Sequence, residues 1–363
     1  MTENPQERSR EPQPHRRRGS ALVVVLWVVG LMSLLIGSLA FEAHMEARIT
    51  SYYRKRTKAQ YLARSGLEIA EMLLIKRNEI LDTDDEPEDE DDRWFYPAKG
   101  LKKGAIRGLE EELGEGVVVL DIVPEPARRN INNLDTKNNE QELTVERNLE
   151  RILEVSGITE EMGLWPELIE SFIDWIDADD DPRLDGAETD DFYGTLEEPY
   201  EAKNGPLDTG GELLLVKGYS RPILYGGELE LDRGDAEPVA VSGIADLLTT
   251  YGESGKVDVN AASMRVLMTL PDVDEIVAGA VIEEREGLLA PEGEQEPDYF
   301  ENVADLFARI PELPQTMKQY VGVGSGIFRI TSVGRVGGVE RRIWCIAEFD
   351  NRHLTILRWR EDG

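Results

Sequence analysis

Residues Ser20 to Phe41, SALVVVLWVVGLMSLLIGSLAF, make an uncharged apolar run of 22 residues. A helix needs about 20 such residues to cross the hydrocarbon core of a bilayer. A cleaved secretory signal has a shorter apolar core, about 7–15 residues, followed by a break. Here the chain runs straight on as EAHMEARITSYYRKRTKAQYLARSGLEIAEMLL, with no proline and one interior glycine, which predicts a single helix extending well beyond the apolar run. Leu62, Gly66, Ile69 and Leu73 recur on one face of that helix. Ala59, Ala63, Gly66 and Ala70 form an overlapping stripe of small residues, suited to the close approach of either a partner helix or an element of the same domain.

Beyond the helix the pattern changes. Leu81 to Trp94, LDTDDEPEDEDDRW, is dense in acid and contains Pro87, the composition of a solvated loop. GEGVVVLDIVPE then reads as a strand stopped by Pro124 and Pro126. ARRNINNLDT turns the chain, and from about Thr144 the period becomes helical. Leu149, Ile152, Leu153 and Val155 lead one helix; Leu164, Leu168, Ile169, Phe172, Ile173 and Ile176 lead another, with Pro166 in its first turn. NAASMRVLMTLPDVDEIVAGAVIEEREG predicts two short helices around Leu270-Pro271-Asp272, the first capped by Asn260. The chain ends in the alternating runs GIFRITSVGRV, VERRIWCIAEFD and HLTILRWRE, the first two joined by a Gly337-Gly338 turn that signals a hairpin. Strands therefore bracket a helical middle. The fold class is α+β, a sheet packed on the N-terminal helix, with a large all-α insertion.

Charge and rare residues narrow the function. A net charge of -33 over 363 residues repels nucleic acid and anionic lipid heads and favours cations or basic partners. Helix–turn–helix residues 260–286 resemble a DNA-gripping hairpin only in outline, since the turn lacks glycines and Asp272, Asp274 and Glu275 would face phosphate. Packing is the better role for it. The single cysteine, Cys345, excludes a disulfide within the chain and sits in a strand pattern that buries it. His15, His44 and His353 are too scattered for a histidine metal centre or a Ser-His-Asp arrangement, and no catalytic residue is predicted. Arg8, Arg10, Arg16, Arg17 and Arg18 before the apolar run favour a cytoplasmic N-terminus, opposed in part by Arg54, Lys55, Arg56 and Lys58 after it.

The stretch richest in chemistry is DWIDADDDPRLDGAETDDFYG, Asp174 to Gly194. Asp177, Asp179 and Asp181 alternate, and Glu188 is the twelfth residue counted from Asp177. An EF-hand loop supplies oxygens at its positions 1, 3, 5 and 12. Its sixth position needs glycine, where this chain has Pro182, so the wrap differs while a calcium site of another shape remains. Trp175, Ile176, Phe192 and Tyr193 among the acids predict an ordered segment. Calcium, with its 6–8 oxygen ligands, suits the loop better than magnesium, which keeps its waters.

Together these pieces resemble a known family. A basic leader ending in Gly19 and followed by SALVVVLWVVGLMSLL is similar to the N-terminus of type IV pilins and type II secretion pseudopilins. That resemblance implies cleavage between Gly19 and Ser20 by a prepilin peptidase, methylation of the new N-terminus, and retention of the apolar helix. Most such subunits carry glutamate at the fifth mature position, where this chain has Val24. The minor pseudopilin K family of the general secretion pathway lacks that acid. AQYLARSGLEIA, SFIDWIDADDDPRLDGAETDDFYGTLEEPYEAKNGPL, GELLLVKG and VDVNAASMRVLMTLP resemble segments of the same family, although Val257-Asp258 and Ala262 depart from its commonest residues.

The resemblance implies a pilin-like fold: leader 1–19, membrane part 20–41 and remaining helix 42–80, an α/β domain from 81–134 and 320–363, and a helical calcium-binding insertion at 135–319. It assigns calcium to Asp177, Asp179, Asp181 and Glu188, with Asp185 and Asn204 as further ligands. It also implies a subunit that is not an enzyme, anchored in the bacterial inner membrane with its bulk periplasmic. There it would cap a pseudopilus tip with minor pseudopilins I and J, beside minor pseudopilin H and the major pseudopilin G. Two alternatives stand: a type IV pilus minor pilin, and an uncleaved signal-anchored periplasmic calcium-binding module.

Overall fold

The structure, a computed structural model, describes residues 20–82, 93–134, 145–231, 237–252, 255–289, 298–350 and 352–362. Gly19, the leader and nearly all of the acidic run lie outside them. The described part begins with helix α1, Ser20–Asp82, 63 residues without interruption. Its N-terminal section, to Thr57, forms one compact unit and the rest of the chain from Lys58 another. Leu22, Leu26, Trp27, Leu34, Ile36 and Phe41 are all more than half exposed. The segment's most apolar 18-residue window has mean hydropathy 2.6 with none of it buried, so the helix is long and apolar enough to cross a membrane.

In the second unit, α1 covers one face of a five-stranded antiparallel sheet. The strands are β1 (Ile106–Leu113), β2 (Gly116–Pro124), β3 (Ile327–Val336), β4 (Val339–Asp350) and β5 (His353–Asp362), neighbours in that order across the sheet. Alternate residues of the inner strands point at the helix. Leu120, Ile122, Phe328, Ile330, Ile343, Cys345 and Ala347 pack there with Ala63, Leu67, Ala70, Leu73 and Leu74. Cys345 is fully buried, which pushes its thiol up to about 11. Helix α2, Phe95–Lys103, adds Ala98 and Leu101 to the same core.

The small-residue stripe packs on this chain's own sheet. An added Cβ at Gly66 would stand 2.0 Å from Ser332 Oγ, and one at Gly334 would stand 2.1 Å from the backbone oxygen of Ala59 and 2.7 Å from the nitrogen of Ala63. Helix and sheet backbones touch here, and no side-chain rotation relieves the second contact. Gly334→Ala is therefore expected to destabilise the protein by about 1–3 kcal/mol through overpacking. A thermal melt checks it: an unchanged midpoint would mean the two elements do not lie this close.

Between β2 and β3 the chain leaves the sheet and builds a second core from helices and turns. Its helices are α3 (Val145–Val155), α4 (Trp165–Ile176), α5 (Arg221–Tyr225), α6 (Met264–Met268), α7 (Glu275–Arg285) and α8 (Val303–Arg309). Ile131 and Leu134 already belong to that core, with Leu149, Ile152, Phe172, Leu213, Leu267, Val281 and Tyr320. Leu270 and Val273 are fully buried at the α6–α7 turn, so this helix pair is a packing unit. Two short parallel ladders stitch the excursion at its base, Arg129–Asn130 with Leu248–Thr249 and Val257–Asp258 with Val321–Gly322.

One predicted cap is corrected. Ser263, not Asn260, caps α6, accepting from the Val266 amide. Asn260 is spent elsewhere: its Nδ2 donates to Phe300 O at 2.8 Å and its Oδ1 accepts from Phe300 N at 3.0 Å. This two-way clamp joins segments 40 residues apart.

Candidate metal centre

Helix α4 delivers the acidic loop. Pro166 and Glu167 suit its first turn, and Leu168, Ile169, Phe172 and Ile173 bury one face in the helical core. The helix ends where Asp177 turns to extended backbone while its amide still bonds to Ile173 O at 2.9 Å. The last turn places Asp174 inside, fully buried. Its Oδ2 accepts from the amides of Arg183 at 3.1 Å and Ala187 at 2.9 Å, and its Oδ1 lies 3.4 Å from Arg183 Nε. Asp174 thus folds the loop back onto the helix. The return is tight enough to require glycine at 186, where a Cβ would fall 1.9 Å from Asp174 Oδ2.

That return carries Glu188 to the interior, only 1% exposed. Its amide donates to Asp191 Oδ1 at 2.8 Å, and its carbonyl accepts from Phe192 and Tyr193. Neither carboxylate oxygen has a hydrogen-bond partner. Burial, then the charges of Asp174, Asp177, Asp180 and Asp179, push Glu188 up to about 7. Asp177 is raised too, by burial first and then by Asp179, and its Oδ1 is buried without a partner.

Asn204 supplies a further orphan. It sits at φ 48°, in the left-handed region that asparagine tolerates better than most residues. Its Nδ2 donates to Asp179 O at 3.2 Å and to Asp180 Oδ1 at 2.8 Å, while its Oδ1 is buried without a partner. Aromatic rings wall the loop: Tyr193 lies 5.1 Å from Trp175, 5.2 Å from Phe192 and 5.3 Å from Tyr200, centroid to centroid.

The remaining predicted ligands lie differently. Asp179 is exposed, and its Oδ1 accepts from the Asp181 amide at 3.1 Å in a local turn. Asp181 is exposed. Asp185 is exposed as well; its amide donates to Glu170 and its carbonyl accepts from Lys217 Nζ at 3.2 Å. Among the described residues, no three acid, histidine or cysteine side chains stand together as a ready-made cluster. The orphan set is mixed: Asp174 Oδ1, Asp177 Oδ1, both carboxylate oxygens of Glu188 and the Asn204 amide oxygen. Buried oxygens that meet no proton donor are a donor set that a hard cation could take. Spacing does not point to Asp174, Asp180 or Gly186; Asp174 and Gly186 lie within the stretch DWIDADDDPRLDGAE, but nothing in it states that one closes on the other.

A long N-terminal helix whose section from Lys58 lies on an antiparallel sheet, with a helical domain inserted between strands, defines a pilin-like fold. The comparisons refine this. Residues 127–225 match the family model of type II secretion system protein K, and residues 18–68 match that of the PilX N-terminal segment. The chain is 26% identical over 213 residues to the putative type II secretion system protein K of Escherichia coli K12, covering 58% of this chain and 60% of that one. It is 26% identical over 207 residues to type II secretion system protein K of Klebsiella pneumoniae, covering 56% and 59%. The match thus spans about three-fifths of the length of these relatives. A crystal structure of the GspK–GspI–GspJ complex from enterotoxigenic Escherichia coli aligns with TM-score 0.54 and 14% identity over 88% of this chain and 99% of that one, so the fold is shared. Over residues 127–225, and in its overall fold, the chain is thus similar to proteins K of type II secretion systems.

Proposed function

We propose that this chain is a minor pseudopilin that initiates and caps the tip of a type II secretion pseudopilus. The observation that carries the reading is α1 itself. Within the described residues it runs without interruption from an unburied apolar span into the helix that packs on the sheet. A retained helix of this kind holds the subunit in the inner membrane and then offers the same apolar surface to neighbouring helices during assembly. The leader is cytoplasmic and the bulk of the chain periplasmic. Val24 stands where other subunits carry an acid that meets the neighbour above; an acid inside the membrane is costly without that partner. A subunit without it belongs at the end of the filament, with minor pseudopilins I and J as its partners and H and G further along.

Calcium is the proposed structural ion of the insertion. Asp177, Glu188 and Asn204 would hold it, and its charge would neutralise carboxylates that otherwise repel one another. Asp174 and Gly186 fold the loop, and the aromatic wall keeps solvent from the buried oxygens.

The first test is the intact mass of membrane-extracted protein produced with and without a prepilin peptidase. Loss of residues 1–19 with gain of one methyl group, only when the peptidase is present, is expected. A full-length mass in both cases would reject the pseudopilin reading in favour of an uncleaved anchored module. The PilX-type match over 18–68 keeps a pilus minor pilin as the second reading, separable by which subunits co-purify after cross-linking.

A further inference from the structure

The turn ARRNINNL, Ala127 to Leu134, lies outside the acidic loop yet is unusually well bonded. Asn130 caps a short turn by accepting from the Asn132 amide at 3.0 Å. Asn130 and Asn133 both donate side-chain amides to Gly252 O. Asn132 faces the other way: its Nδ2 donates to Leu207 O at 2.9 Å and its Oδ1 accepts from Leu207 N at 2.8 Å. Both polar groups of one side chain are thereby matched to both backbone groups of one residue, as a neighbouring strand would match them. Leu207 is buried in the helical core.

Leu207 stands three residues after Asn204, with Gly205 and Pro206 between them. Proline fixes its own φ, so Gly205 is the one freely turning residue between the clamp on Leu207 and Asn204. Asn204 needs such restraint. It holds a left-handed backbone, spends its Nδ2 on the Asp179–Asp180 segment, and leaves its buried Oδ1 without a donor.

We infer that Asn132 is a positioning residue for the cation site: its two-way clamp on Leu207 holds Asn204, whose buried amide oxygen is left for the ion. The inference rests on the calcium reading. Outer partners that orient a ligand are worth about 10–100-fold in metal affinity, and the clamp is such a partner acting through the backbone.

The test is calorimetric titration of calcium into the full-length chain in detergent, for wild type and three variants. Asn132→Ala removes both bonds and is expected to weaken binding at least about 10-fold. Asn132→Asp keeps the acceptor for Leu207 N and loses the donor, so its affinity falls between the two; it decides the matter if the alanine variant does not fold. Thr250→Val removes the bond from Thr250 Oγ1 to Asp208 O, 3.1 Å, one residue beyond the clamp, and binds as wild type does. A wild type that binds calcium while the Asn132 variants bind equally well overturns this inference alone. Equal weakening by Thr250→Val overturns it too, because loosening anywhere on the segment would then suffice. A wild type that binds no calcium overturns the calcium reading and takes this inference with it.

Discussion

Glu125→Ala is expected to cost about 3–5 kcal/mol, the loss typical when one partner of a buried ion pair is removed. Glu125 follows β2 at the point where the chain leaves the sheet, and it is fully buried. Arg329, from β3, donates to it through Nη2 at 2.7 Å and Nε at 3.0 Å. Arg128 donates at 3.2 Å, and Thr249, on the ladder at the base of the insertion, donates its hydroxyl at 2.7 Å. One carboxylate thus ties the sheet to the helical domain. Burial and the nearby Arg329 already lower Arg128 from the usual arginine range, with Glu125 opposing them. Without Glu125 two guanidinium groups face each other with no anion between them. Glu125→Gln keeps hydrogen-bonding capacity without the charge and should cost less than the alanine variant. The double variant Glu125→Leu with Arg329→Met should recover much of the loss, since an apolar pair can replace a buried ion pair at little cost. Denaturant unfolding measures all three. A Glu125→Ala loss below about 1 kcal/mol, the range of an exposed pair, would show that the junction is solvated in solution.

How much of this was legible beforehand depended on sequence distance. Strand β2, the β3–β4 hairpin and helices α3 and α4 follow local periodicity and turn residues, and they occur where the pattern places them. Strand β1 is not legible in the sequence, because IRGLEEEL is an edge strand with charged residues on it; only its pairing with β2 reveals the alternation. The Asn260 clamp on Phe300 and the Asn132 clamp on Leu207 each span dozens of residues, and an asparagine before a helix pattern is locally indistinguishable from a cap. In the candidate metal centre, Asp177 and Glu188 were legible from spacing within one loop. Asn204 came only from resemblance, and the organising contact of Asp174 with Gly186 is a close approach that no spacing rule encodes.

The sharpest expectation at that centre is a reversal of sign. Without a bound cation, burial first and then the neighbouring acids push the Glu188 carboxyl up to about 7, above its ordinary value of 4.5. A raised pKa means that its neutral form is the one the fold accepts. Its contribution is then most favourable below about pH 4.5 and is lost as pH rises through about 7. At pH 8 the calcium-free protein therefore carries a buried charge with no partner, and Glu188→Gln relieves it. That variant is expected to melt higher than wild type in excess chelator at pH 8, by about 2–4 °C for each kcal/mol recovered. Calcium inverts the order. An ion at about 100 times its Kd adds about 2.7 kcal/mol to the state that binds it, which raises the melting temperature of wild type by about 5–10 °C. Glu188→Gln, deprived of a charged ligand, gains little from calcium and melts below calcium-loaded wild type. Four melts, with calcium and with chelator for each protein, decide it. If wild type melts at the same temperature in both conditions, the site holds no stabilising ion, and if Glu188→Gln melts lower than wild type in both, Glu188 stabilises the loop by some contact other than a cation.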